Sequence, residues 1–102
     1  MNREYYFYIL QCSDGSKYYG HTNDLKRRIF SHFKGQVSST KNKRPLRLVY
    51  FEKCDSRSVA FKREMQFKNG RTRMKTIEKM IGSFSQEKCQ GFNAQTAYAY
   101  DV

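Results

Sequence analysis

Between Tyr5 and His32 the chain sets two short aromatic runs on either side of an Asp-Gly turn and follows them at once with a helix signal. The first run, Tyr5-Tyr6-Phe7-Tyr8-Ile9-Leu10, consists of residues that favour strands. Ser13-Asp14-Gly15-Ser16 supplies the turn, and the chain returns through Lys17-Tyr18-Tyr19 to Gly20. Asp-Gly between two such runs predicts a β-hairpin. Thr22-Asn23-Asp24 then offers N-cap residues. Two strands and a helix therefore gather several tyrosines, an arginine and a histidine in a short length. A tyrosine needs a partner for its hydroxyl when buried, so this is more than a core, which Val or Leu would fill as well.

The remaining elements follow from periodicity and breakers. Strand one is expected from about Tyr5 to Cys12, strand two from Lys17 to His21, and the first helix from Asn23 to Phe33. Leu25, Ile29 and Phe33 recur every fourth residue and form a stripe toward the sheet. Arg28 and His32 are also four apart and lie on the border of that stripe, placed to reach the sheet edge where the tyrosines are. Gly35 ends the helix. Gln36 to Arg44 reads as an exposed basic loop, with Lys41, Lys43 and Arg44 serving either phosphate contact or a solvated connector. Leu46 to Glu52 is a third strand whose continuous apolar centre predicts the middle of the sheet.

Asp55-Ser56-Arg57-Ser58 caps a second helix, about Arg57 to Phe67, with Ala60, Phe61 and Phe67 on one arc and Glu64 inside it. A carboxylate on an apolar face needs a partner. Glu64 is either in a salt bridge with a core-edge arginine such as Arg28 or a metal ligand. Asn69-Gly70 breaks this helix, and a third begins near Thr72, packing through Met74, Ile77, Ile81 and Phe84. Lys62, Arg63, Lys68, Arg71, Arg73, Lys75 and Lys79 make this region strongly basic. The expected architecture is α+β: a three-stranded antiparallel sheet flanked by helices, in the order β-β-α-β-α-α. Residues 1–84 form one domain, and 85–102 a polar tail that packs in part through Phe92, Tyr98 and Tyr100.

A length of 102 residues suits a single domain. Twenty Lys and Arg against nine Asp and Glu give a net charge of +11, which points to a polyanionic partner. Nucleic acid fits better than a membrane, because no apolar run spans a bilayer and no signal-peptide pattern opens the chain. Cys12, Cys54 and Cys89 are odd in number and far apart, without a Cys-x-x-Cys, so neither a disulfide framework nor a zinc site is expected. A reducing, cytoplasmic setting follows.

Tyr6-Phe7-Tyr8, the ten-residue step to Tyr18-Tyr19-Gly20, and Asn23-Asp24-Leu25-x-x-Arg28-x-x-x-His32 together resemble the GIY-YIG endonuclease domain. The resemblance continues through Lys43-Arg44-Pro45-x-x-Leu48-Val49-Tyr50 and Arg57-Ser58-x-Ala60-x-x-x-Glu64, and spans about Tyr5 to Ile81. It is nearest to the small stand-alone bacterial members. Four motifs in order at family spacing are far more specific than any one of them.

The resemblance implies hydrolysis of a phosphodiester in nucleic acid, DNA in the first instance, with one divalent metal, Mg²⁺ or Mn²⁺ in its place. Tyr8 and Tyr18 match the motif tyrosines near the scissile phosphate, Arg28 the phosphate-binding arginine, Glu64 the metal-binding glutamate, and His32 a position held by His or Tyr. With no appended recognition domain, such an enzyme reads backbone shape and charge through Lys41, Lys43, Arg44, Lys62, Arg63, Lys68, Arg71 and Arg73, and tolerates many sequences. The alternative is a binding module that keeps the fold without the chemistry. These residue types suit the reaction, since a fixed arginine and a metal answer charge gathering on the non-bridging oxygens. The proton of the attacking water could go to a tyrosine, to His32 or to His21. Three departures stand beside the match: Tyr6 replaces the first glycine, His21 a lysine of some relatives, and Ser38-Ser39-Thr40 a loop Tyr or His. A late supporting asparagine has no evident counterpart.

Overall fold

The computed structural model describes residues 4–93. They form strands β1 (Tyr5–Gln11) and β2 (Lys17–Thr22), helix α1 (Leu25–Phe33), a 3-10 turn (Lys41–Lys43), strand β3 (Arg47–Cys54), and helices α2 (Arg57–Lys68), α3 (Met74–Ser83) and α4 (Gln86–Asn93). The sheet is antiparallel in the order β2-β1-β3. The hairpin and three-stranded sheet expected from the sequence are therefore present.

β3 is not the central strand, as its apolar run had suggested; β1 is. Four consecutive residues of β1, Phe7, Tyr8, Ile9 and Leu10, are completely buried, because helices cover both faces of the sheet. Even-numbered residues of β1 join Leu25, Ile29, Phe33, Leu48 and Cys89 on the α1 and α4 face. Phe7 and Ile9 join Val49, Ala60, Phe67 and Ile77 on the α2 and α3 face. The apolar centre of β3 reflects this two-sided cover, which an edge strand shares.

The helix starts follow their caps. The Asp24 carboxylate accepts from the Arg27 amide, and Ser56 Oγ accepts from the Val59 amide. Gly35, at φ +79°, supplies the left-handed residue that ends α1.

Two further expectations change, and helix α4 opens the segment read as a tail. The loop after α1 is not uniformly exposed, since Val37 and Thr40 are buried. Phe61 does not join the arc of Ala60 and Phe67: it is 48% exposed. The buried line of α2 is Ala60, Glu64, Phe67, spaced by four and three, and Phe61 lies 100° around from Ala60, at the rim. The start of the expected tail is helical: Cys89 of α4 is fully buried, and Phe92 packs edge-on against Phe51. The side chain of Asn93 accepts from the Leu48 amide at 2.8 Å and donates to its carbonyl at 3.0 Å. Tyr98 and Tyr100 lie outside the described residues. No helix among the described residues is long and apolar enough to cross a membrane.

Candidate active site

The site is assembled around the close approach of β1 and β2. Tyr8 pairs with Gly20 across the strands, and a Cβ at Gly20 would lie 2.4 Å from the Tyr8 hydroxyl oxygen. Only glycine lets the Tyr8 ring cross β2. The hydroxyl then meets His32 Nε2 at 2.8 Å, while His32 Nδ1 meets Thr40 Oγ1 at 2.8 Å. Thr40 Oγ1 points its proton to the Val37 carbonyl, 3.4 Å away. It therefore accepts from His32 Nδ1–H, and His32 Nε2 accepts from the Tyr8 hydroxyl. Burial, and then the Arg28 charge, push the His32 pKa down to about 4, so the ring is neutral at pH 7. Burial also raises the Tyr8 pKa, only partly opposed by Arg28, and the phenol keeps its proton.

Arg28 and Tyr18 lie in front of this buried chain. Burial works against the Arg28 charge, but the Tyr8 and Tyr18 hydroxyls that face it outweigh burial and raise its pKa. The Tyr18 ring is 5.0 Å from His32 and 6.3 Å from Tyr8. Tyr8, Tyr18, Arg28 and His32 thus form one cluster on the α1 face, as their spacing had suggested.

Glu64 comes from the other face. His21 pairs with Phe7, so strand alternation turns it toward α2. Its Nδ1 lies 3.0 Å from Glu64 Oε1, and Lys68 Nζ lies 3.2 Å from Glu64 Oε2. The salt bridge envisaged between Glu64 and Arg28 is not the one formed; Arg28 is turned to the tyrosines. The two halves meet in a cleft of about 290 Å³, lined by Tyr5, His21, Thr22, Asn23, Arg28 and Arg57.

Among the described residues no group of three His, Cys, Asp or Glu side chains could hold a metal ion. A single carboxylate can still hold Mg²⁺, which keeps most of its water and takes phosphate oxygens. Glu64 Oε2 fits that role once Lys68 moves aside. The Lys68 side chain is 40% exposed, so its ammonium can turn to solvent when another cation takes its place.

The basic residues divide into two groups. Lys41, Lys43, Lys62, Lys68, Arg71 and Arg73 are exposed. Arg44 donates from Nε to the Lys41 carbonyl and lies against Gly35. Arg63 is bound to Glu52 at 2.8 Å and stacks over Phe67 at 5.2 Å. Its charge is engaged within the fold, so it belongs with the packing of α2 on the sheet rather than with the exposed cations.

The family model of the GIY-YIG catalytic domain matches residues 4–77. The chain belongs to the GIY-YIG family. It is similar to a UPF0213 protein of Staphylococcus saprophyticus, 46% identical over 66 residues that cover 64% of this chain and 80% of that protein. A UPF0213 protein of Haloquadratum walsbyi is 43% identical over 70 residues, covering 68% of this chain and 79% of its own. The solution structure of a UPF0213 protein from Bacillus halodurans, 34% identical, aligns over 78% of this chain and 83% of that one with a TM-score of 0.49. The chain is thus of the small GIY-YIG type.

Two members of the site were hard to find in the GIY-YIG motifs alone. Thr40 sits in a polar loop without periodicity, and only its burial against His32 marks it. The His21 partnership with Glu64 spans 43 positions; its one sequence signal is its two-residue step from Tyr19, which keeps it on the α2 side of β2.

Proposed function

We propose that this protein is a metal-dependent endonuclease that hydrolyses phosphodiester bonds in DNA, with little sequence preference and a bias toward branched or irregular structures. The observation that carries this reading is the cleft shared by Arg28, backed by two tyrosines, and His21, backed by Glu64.

A scissile phosphate enters against Arg28, whose fork can take two non-bridging oxygens. The Tyr8 and Tyr18 hydroxyls hold that guanidinium in place. Tyr8 and His32 are fully buried, so they position the arginine and do not meet water directly. His21 is half-buried and lines the cleft. With Nδ1–H donated to Glu64 Oε1, its Nε2 carries a lone pair and can take the proton of the attacking water. The water oxygen bonds to phosphorus as the bond to the leaving oxygen breaks in line. A divalent ion held at Glu64 Oε2 would add positive charge where the phosphate gains negative charge.

The test is cleavage of supercoiled plasmid and of a branched oligonucleotide with Mg²⁺, Mn²⁺ or chelator. Metal-dependent cutting by the native chain, lost in Glu64→Ala and Arg28→Ala with DNA binding retained, is the expected result. Salt-sensitive binding without any cutting by the native chain refutes the enzyme and leaves a nucleic-acid-binding module.

A further inference from the structure

Phe61 is one of the large apolar side chains left in water, 48% exposed, on a helix whose buried line runs through other positions. Its ring contact among the described residues is with His21, at 5.7 Å and an interplanar angle of 80°. A T-shaped contact leaves a flat face unstacked. His21 lines the cleft and holds Glu64, so the exposed ring is one residue removed from the Glu64 carboxylate. Beside it, on the outer side of α2, lies an open pocket of about 470 Å³. Its apolar floor is Phe61 and Met65. Gln66 and Asn69 bring amide groups to its rim, and Lys62 and Arg71 bring positive charge.

A flat apolar surface, hydrogen-bonding amides and cations within one pocket match the three parts of a nucleotide: a base face, a base edge and a phosphate. A base paired within a duplex has both faces covered and its pairing edge used, so it cannot occupy this pocket. We propose that Phe61 and the adjoining pocket hold an unpaired nucleobase close to the linkage at the cleft. This deepens the nuclease reading and rests on it: the substrate class becomes DNA with an unpaired nucleotide beside the cut, as at a flap, branch or gap.

The chain contains no tryptophan, so Phe61→Trp introduces a sole indole at the site. Its fluorescence is followed during titration with a flap oligonucleotide and with a blunt duplex, at occupancies matched by the anisotropy of labelled DNA. Strong quenching by the flap and little by the duplex is expected. Phe61→Ala, at a rim position that should still fold, is expected to weaken flap binding about tenfold or more while duplex binding stays within about twofold. Equal quenching by both DNAs, or none by the flap at saturation, overturns the proposal. So does quenching that depends on protein concentration without DNA, which would assign the pocket to a second copy of this chain. Metal-dependent plasmid cutting by the native chain, run in parallel, separates the two claims. If cutting stands and the quenching pattern is absent, the base pocket alone falls. If neither cutting nor binding occurs, both fall.

Discussion

His32 should make this protein acid-sensitive well above the range in which carboxylates titrate. Its ring is completely buried, with both nitrogens engaged by Tyr8 and Thr40, and its pKa is pushed down to about 4 from an ordinary 6.5. The unfolded chain therefore binds a proton between these values that the folded chain refuses. A depressed folded pKa means that stability is full above about pH 6.5 and is lost as pH falls toward about 4. The loss is about 2 kcal/mol by pH 5 and about 3 kcal/mol by pH 4. For a domain of this size about 3 kcal/mol corresponds to a fall in Tm of roughly 12–24 °C. Denaturant unfolding followed by circular dichroism at pH 7, 6, 5 and 4 measures it. Other acids contribute below about pH 4.5, so the decisive quantity is the difference from His32→Gln, which cannot titrate. The variant should start less stable at pH 7 and fall less steeply, so that the gap to the native protein narrows by about 2 kcal/mol at pH 5. Parallel pH profiles for the two proteins would refute the assignment of a neutral, buried His32.

Three other outcomes follow from the geometry. Gly20→Ala brings a methyl group to 2.4 Å from the Tyr8 hydroxyl oxygen; it should cost about 1–3 kcal/mol in a denaturant melt and lower cleavage further by displacing Tyr8 from Arg28. Asn93→Ala removes both bonds to the Leu48 backbone. It should destabilise the protein by about 1–3 kcal/mol, and an unchanged melt would show that α4 is not fastened to β3 there. Arg28→Lys keeps the charge and loses the fork, so DNA binding should hold while the cleavage rate falls at least about tenfold; full activity would remove the bidentate role.

The aromatic strand, the Asp-Gly turn and the Leu25, Ile29, Phe33 stripe are local patterns, and each became the element its period predicts. Arg28 and His32 were legible for the same reason, since a helix fixes two residues four apart on one face. What stayed hidden was set by pairing across the chain. The central strand could not be told from an edge strand by its apolar run, because helices on both faces make the two read alike. Phe61 looked like core because a helical wheel does not say how wide the buried arc is. On α2 that arc is narrow, running from Phe67 through Ala60 to Glu64, with Arg63 on its far flank over Phe67 and Phe61 outside it. Thr40 and Asn93 act through side-chain hydrogen bonds, to His32 and to the Leu48 backbone, which leave no period in the sequence.

The site's two halves come from opposite faces of the sheet, and β2 is the reason they can cooperate. Strand alternation sends Tyr18 and Gly20 to the α1 face and Tyr19 and His21 to the α2 face. In a central strand such an arrangement would place the two sets on separate sides of a wall. β2 is an edge strand, so groups from both faces can reach around it to one cleft. Tyr8 extends across the gap that Gly20 leaves, and Glu64 reaches β2 through His21. The arrangement also divides the work electrostatically. The α1 half holds a positive group before a neutral buried chain, and the α2 half holds a carboxylate able to orient a base and attract a cation. In the proposed reaction a phosphate drawn to the first half would thereby be presented to the second. Replacing Gly20 by a residue with a side chain would push Tyr8 away from Arg28 without removing any charge, and for that reason it tests the positioning role of Tyr8 more sharply than deleting a polar group.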